Sequence, residues 1–148
     1  MTTPFGGSFG RGLLLDDGDL VLDGGRLREV EGGANLSQAL TLRVLTPFGS
    51  DPFDTGYGLD IGAAFTRPNT VTGVKQLVQL NLVRTLGADP RVRDIRRVVF
   101  ADDPELTAAD PALAAAAEDA RRRRVLTALV DLDTVAGDPL TMTLDVGV

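Results

Sequence analysis

The sequence predicts one α+β domain: a small mixed sheet ending in a C-terminal β-hairpin, packed against two to three helices, with a flexible Gly-rich N-terminal arm. Three observations predict it. The C-terminal segment alternates apolar and polar residues with period two, through Leu126, Ala128, Val130 and Leu132 and again through Leu140, Met142, Leu144, Val146 and Val148. A middle segment repeats Val71, Val74, Val78, Leu82 and Leu86 at helical spacing. The 148 residues, 43% hydrophobic and 24% charged, suit one domain with a real core, and no linker-like stretch or internal repeat divides them.

Residues 1–12 carry Gly6, Gly7, Gly10 and Gly12 beside Pro4, Phe5 and Phe9, and read as the arm. Gly12 to Leu15, Leu20 to Leu22 and Arg26 to Val30 read as three short strands of a meander, separated by the turn signals Asp16-Asp17-Gly18-Asp19 and Asp23-Gly24-Gly25. Asn35-Leu36-Ser37-Gln38 reads as a helix start, Asn35 capping and Gln38 reaching back, and Pro47 closes that helix. The stretch from Thr46 to Gly58 is a loop, followed by helical turns within Leu59 to Phe65. Asn69 or Thr70 caps the helix from Val71 to Leu86, and Gly87 sits where a left-handed C-terminal residue is expected.

Ile95 to Phe100 reads as a strand, Asp102-Asp103-Pro104 as a turn, and Thr107 to Arg124 as one Ala-rich helix ending in four arginines. Val125 to Val135 and Leu140 to Val148 are the terminal strands, joined by Ala136-Gly137-Asp138-Pro139. If the last strand lies at the sheet edge, it invites a strand from another chain; the pattern alone fits an internal strand equally well.

Composition excludes whole classes of chemistry. The chain has no His and no Cys, so it can form neither a His-based nucleophilic triad nor a zinc, haem or iron–sulfur site built on those ligands. Its net charge is −6, a poor balance for general binding of nucleic acid. The N-terminus lacks a basic region followed by a long apolar run, so synthesis in the cytoplasm without a signal peptide is expected. Leu13-Leu14-Leu15 and Ala112 to Ala117 are too short to span a bilayer.

The remaining candidates are weighed on spacing. Asp16, Asp17, Asp19 and Asp23 fail the calcium-loop pattern, with Val21 and Arg28 at liganding positions, and are better read as turn residues. Glu29, Glu31, Glu105, Glu118 and the aspartates could supply the carboxylate pair of a glycoside hydrolase, but any acidic chain offers such pairs. No phosphate-binding glycine loop is present. Arg121 to Arg124 and the set Arg91, Arg93, Arg96 and Arg97 suggest a local basic patch, with a protein partner favoured over nucleic acid.

Three stretches together carry a resemblance. They are Asn35-Leu-Ser-Gln-Ala-Leu-Thr-Leu-Arg-Val-Leu-Thr-Pro-Phe-Gly-Ser, Asp54-Thr-Gly-Tyr-Gly-Leu-Asp-Ile-Gly, and Leu86-Gly-Ala-Asp-Pro-Arg-Val. In order and spacing this resembles the small baseplate wedge, or sheath-initiator, proteins of contractile phage tails, type VI secretion systems and extracellular contractile injection systems, some of which carry a lysozyme label. The resemblance covers roughly residues 20 to 101, and the terminal strand pair is consistent with it. Two motifs depart from it. The family's Gly-Glu is Gly49-Ser50 here, and its Glu-Pro-Arg is Asp89-Pro90-Arg91. The Ala-rich insertion around residues 107–120 favours an injection-system or larger-phage relative.

The resemblance implies a non-enzymatic, cofactor-free structural protein, present in several copies of a sixfold baseplate. Its implied partners are other wedge proteins, the first ring of sheath subunits, and inner tube or hub proteins, without nucleic acid or membrane. Asp89, Pro90, Arg91, Gln38, Tyr57 and Gly58 are the implied wedge interface, Arg91 offering a carboxylate a bidentate pair. Residues 125–148 are the implied sheath-contact strand pair, through Leu140, Met142, Leu144, Val146 and Val148. The rival readings are a lysozyme-like peptidoglycan hydrolase and a protein-binding module using the arginine patches.

Overall fold

The structure is a computed structural model and describes residues 9–66 and 70–147. Six short strands come first: β1 (Arg11–Leu13), β2 (Leu15–Asp16), β3 (Asp19–Leu20), β4 (Leu22–Asp23), β5 (Arg26–Leu27) and β6 (Glu29–Glu31). They pair not as a meander but as three lobes, β1 with β6, β2 with β3 and β4 with β5. Two lobes are tight hairpins whose central residues hold positive φ, Asp17 and Gly18 at 49° and 88°, Gly24 and Gly25 at 56° and 76°. The hairpins repeat at a seven-residue offset, Leu15-Asp16-Asp17-Gly18-Asp19-Leu20 and Leu22-Asp23-Gly24-Gly25-Arg26-Leu27, a repeat the sequence reading missed. Between the lobes Leu14, Val21 and Arg28 close a ring of backbone hydrogen bonds, Leu14 N to Arg28 O at 2.9 Å, Val21 N to Leu14 O at 3.2 Å and Arg28 N to Val21 O at 2.9 Å.

Residues 1–8 of the expected arm lie outside the described residues. Residues 9–12 are fixed in the fold: Phe9 is 4% exposed in the core and β1 begins at Arg11. A buried aromatic ring and a carbonyl taken by two donors outweigh the local freedom of the flanking glycines.

Helix α1 (Gly32–Leu45) follows, then α2 (Gly62–Thr66), α3 (Val71–Gly87) and strand β7 (Val92–Phe100). The expected capping box of α1 is not formed. The N-cap is Glu31, four residues before Asn35; it makes no side-chain cap, and Asn35 and Gln38 face out of the helix to distant partners. For α3 the cap is Thr70, whose hydroxyl accepts from Gly73 N at 3.1 Å; Asn69 lies outside the described residues. Gly87 is not a left-handed terminus. It ends the helix itself, and Ala88 follows in right-handed geometry.

The expected single Ala-rich helix is two, α4 (Pro104–Ala109) and α5 (Pro111–Arg122). Pro111 forces Asp110 into extended backbone, φ −138° and ψ 104°, and Asp110 then caps α5 through Ala112 N. Arg124, at φ 57°, turns the chain into β8 (Val125–Thr134), and β9 (Pro139–Gly147) completes the molecule.

The main sheet runs β7-β8-β9 and is antiparallel throughout. Helices α1 and α3 cover one face. Leu36, Leu40 and Val44 of α1 and Val78, Leu82 and Leu86 of α3 meet Val98, Phe100, Ala128, Val130, Leu132, Met142, Leu144 and Val146 of the strands. Each fully buried leucine contributes roughly 2 kcal/mol. The other face of the sheet carries polar cross-strand pairs, Thr127 to Asp145 at 2.7 Å and Thr141 to Asp131 at 2.8 Å. That is the one-sided burial an alternating antiparallel sheet produces.

Candidate functional site

Of the six wedge-interface candidates, Gln38 forms one internal staple, Asp89, Pro90 and Arg91 a second, and Tyr57 and Gly58 lie in a loop behind the second. Gln38 lies beside the break between β1 and β2. Its amide oxygen accepts from Leu15 N at 2.9 Å, and its amide nitrogen donates to Leu13 O at 2.8 Å. One side chain thus satisfies two backbone groups where the ladder changes partners. Asn35, one turn earlier, donates to Phe9 O at 2.8 Å. Gly12 makes room for it, since a Cβ there would stand 2.7 Å from Asn35 Oδ1.

The second staple follows α3. Asp89-Pro90-Arg91-Val92 is a tight turn closed by Val92 N to Asp89 O at 3.0 Å, with proline at its second position. Asp89 is 6% exposed. Its Oδ1 accepts from Arg91 N and Arg91 Nε, each at 2.9 Å, and its Oδ2 from Arg91 Nη2 at 2.8 Å. Arg91 Nη1 donates to Phe9 O at 3.1 Å. The bidentate pair expected between chains is therefore made inside this one, and it locks the N-terminal strand region to the end of α3. These hydrogen bonds hold the Asp89 carboxyl below the ordinary carboxylate range and outweigh the effect of its burial; the same pair raises Arg91. Pro90 is exposed.

Tyr57 and Gly58 belong to the loop that backs this turn. The Arg43 guanidinium lies 4.7 Å from the centre of the Tyr57 ring, and burial pushes the tyrosine hydroxyl up despite that cation. Gly58 has φ 106°, and a Cβ there would stand 2.5 Å from Thr46 O. Only glycine fits beside the Pro47–Leu59 bridge. Gly58 O accepts from Thr85 Oγ1 at 3.0 Å, tying the loop to α3.

The sheath-contact candidates are placed differently from expectation. Met142, Leu144 and Val146 are buried in the core at 5%, 2% and 3% exposure, Leu140 is half-buried against it, and Val148 lies outside the described residues. These side chains are committed inside the molecule. What β9 offers is its backbone. Thr127 O accepts from Ala101 N at 2.9 Å, so the odd-numbered residues of β8 hydrogen-bond toward β7 and the even-numbered ones toward β9. Their β9 partners are Val146, Leu144, Met142 and Leu140. The N–H and C=O groups of Thr141, Thr143, Asp145 and Gly147 therefore point outward, and among the described residues none of them has a hydrogen-bond partner.

The two sheet edges are unlike. On β7 the register shifts twice, at Val92/Asp94 and Ile95/Arg97, and Gln79 of α3 donates to the outward carbonyl of Val98 at 3.2 Å. On β9 the register is unbroken from Gly147 to Pro139. Bulges and a covering helix are how natural sheets blunt an edge, and among the described residues β9 has neither.

The arginine sets are largely paired within the chain. Arg96 meets Asp133 at 2.6 Å, Arg97 meets Asp131 at 3.6 Å, Arg122 meets Glu118 at 3.6 Å, and Arg123 pairs with Asp119. The carboxylates weighed for hydrolysis are also placed. Glu29 and Glu31 both bind Arg11 on the surface, Glu118 binds Arg122, and Glu105 is exposed. Asp89, the buried one, is shifted downward, the wrong direction for a general acid at neutral pH. Among the described residues no three carboxylates gather as a metal site, and no helix is long and apolar enough to cross a membrane.

Compared with known proteins, the chain matches no family model, no curated protein and no solved structure.

Proposed function

We propose that this chain is a structural component of the baseplate of a contractile injection machine, joining wedge to sheath and starting sheath polymerisation by strand addition along β9. The observation that supports it is the contrast between the two sheet edges. The edge at β7 is bulged and covered, while β9 presents outward backbone groups along an unbroken strand. Main-chain hydrogen bonds from an added strand give affinity there, and the alternation of β9 gives register. The motif order over residues 20 to 101 supplies the machine. On this reading the protein has no catalysis, works in the sixfold baseplate, and meets wedge neighbours, the first sheath ring and tube or hub proteins. The Asp89–Arg91 and Gln38 staples serve that role indirectly, by holding the N-terminal lobes and the turn after α3 in one fixed arrangement.

The test is a substitution that touches the edge alone. Deleting residues 140–148 removes buried Met142, Leu144 and Val146 and unfolds the core, so sheath loss in that variant says nothing about the edge. Thr143→Pro removes one outward N–H and leaves the β8–β9 ladder intact, the position where proline is tolerated in a strand. Electron microscopy of particles carrying Thr143→Pro is expected to show baseplates and tubes without sheath. Fully sheathed particles at normal yield contradict the reading.

A further inference from the structure

We propose that the cleft at the C-terminal end of β9 is the anchor pocket of that edge. It takes one large apolar side chain of the added sheath strand, and a lysine or arginine stands next to that side chain in the strand's sequence. The inference rests on β9 being a strand-addition edge and goes further, to what the added strand must contain.

The cleft measures about 460 Å³ and lies between the C-terminal end of α1, the Pro47–Leu59 bridge and the last residues of β9. Its floor is the core itself, through Val44, Leu59 and Val146, exposed 5%, 3% and 3%. Leu45 and Phe48, more than half exposed, form its outer wall. The cleft thus reaches down to core side chains beside the edge of β9 that has no strand neighbour among the described residues. A strand laid along β9 continues its pleat. Every second side chain stands on the helix-covered face in line with Val146, over the cleft, and the one beside it stands on the outer face in line with Asp145.

Charge selects that second residue. Among the described residues that line the cleft, the charged ones are Asp60 and Asp145, and none is a lysine or arginine. Asp145 accepts one hydrogen bond, from Thr127, and Asp60 makes no ion pair among the described residues. An apolar hole with a negative rim favours a large apolar side chain flanked by a cation and rejects a flanking carboxylate.

The experiment measures binding of the purified sheath subunit of the same particle to the immobilised full chain. Gly62→Phe fills the cleft. Gly62 does not hold a left-handed backbone, and among the described residues the nearest atom to an added Cβ, Asp60 Oδ1, is 3.9 Å away. Asp60→Arg reverses the rim charge. Thr143→Pro blocks the edge. Wild type is expected to bind and Thr143→Pro to lose binding. Gly62→Phe is expected to bind about tenfold more weakly, the scale of one anchor shut out of its pocket. Asp60→Arg should bind about threefold more weakly, with a flatter salt dependence.

If Gly62→Phe and Asp60→Arg bind like wild type while Thr143→Pro does not, the anchor pocket is wrong and strand addition stands. If Thr143→Pro binds like wild type, or wild type does not bind, strand addition falls and the pocket with it. Thermal melts check that each variant is folded. Should Gly62→Phe fail that check, Gly62→Cys alkylated after folding fills the same space, since the chain has no other thiol.

Discussion

At the scale of single residues, the motif that marks this chain works inside it. Asp89 accepts three hydrogen bonds from Arg91, and Arg91 passes a fourth to Phe9 O, across 82 residues of sequence. Asp89→Asn keeps the shape and loses the charge. It is expected to cost about 2 kcal/mol, the scale of charge-assisted hydrogen bonds between a buried carboxylate and a half-buried arginine, read as a lower urea midpoint. The pH dependence has a definite sign. The folded chain holds this carboxyl proton less tightly than the unfolded chain, so acid favours unfolding. The Asp89 contribution is complete above a pH of about 4 to 5 and is lost as pH falls through the lowered folded value. The stability curve of Asp89→Asn should therefore run closer to wild type at pH 3 than at pH 7, which paired urea titrations measure.

At the scale of elements, the parts legible in the sequence are those whose cause is local. The alternation of β8 and β9, the Thr70 cap of α3 and its stripe from Val74 to Leu86 are set within a few residues, and the structure has them, whereas Val71, expected to begin the stripe, is 65% exposed. What the sequence reading missed depends on distant partners or on one overlooked residue. Asn35 looked like a cap because its donor target, Phe9 O, is 26 residues away. The three-lobed pairing of β1 to β6 needs the ring through Leu14, Val21 and Arg28, although the seven-residue spacing of the Leu-Asp-x-Gly-x-Leu hairpins was there to be found. The long Ala-rich helix broke because Pro111 outweighs the propensity of the alanines around it. Asp110→Ala is expected to destabilise the protein by about 1 kcal/mol, since it removes the side chain that accepts from Ala112 N and Leu113 N. Circular dichroism during thermal melting reads that loss.

At the scale of the whole molecule, the fold is a two-layer unit that closes three of its boundaries and leaves one open. Helices α1 and α3 cover one sheet face, polar cross-strand pairs finish the other, and bulges with Gln79 blunt the β7 edge. The sequence showed that the last strand has an apolar face. It could not show that the strand is an edge, because that follows from which strands pair, and Met142, Leu144 and Val146, expected to meet a partner, are buried at home. The central claim is that another chain pairs with β9. Hydrogen exchange at the amides of Thr141, Thr143, Asp145 and Gly147, compared between the free protein and assembled sheathed particles, measures it directly. The account predicts fast exchange in the free protein and strong protection in the particle; equally fast exchange in both states would contradict it.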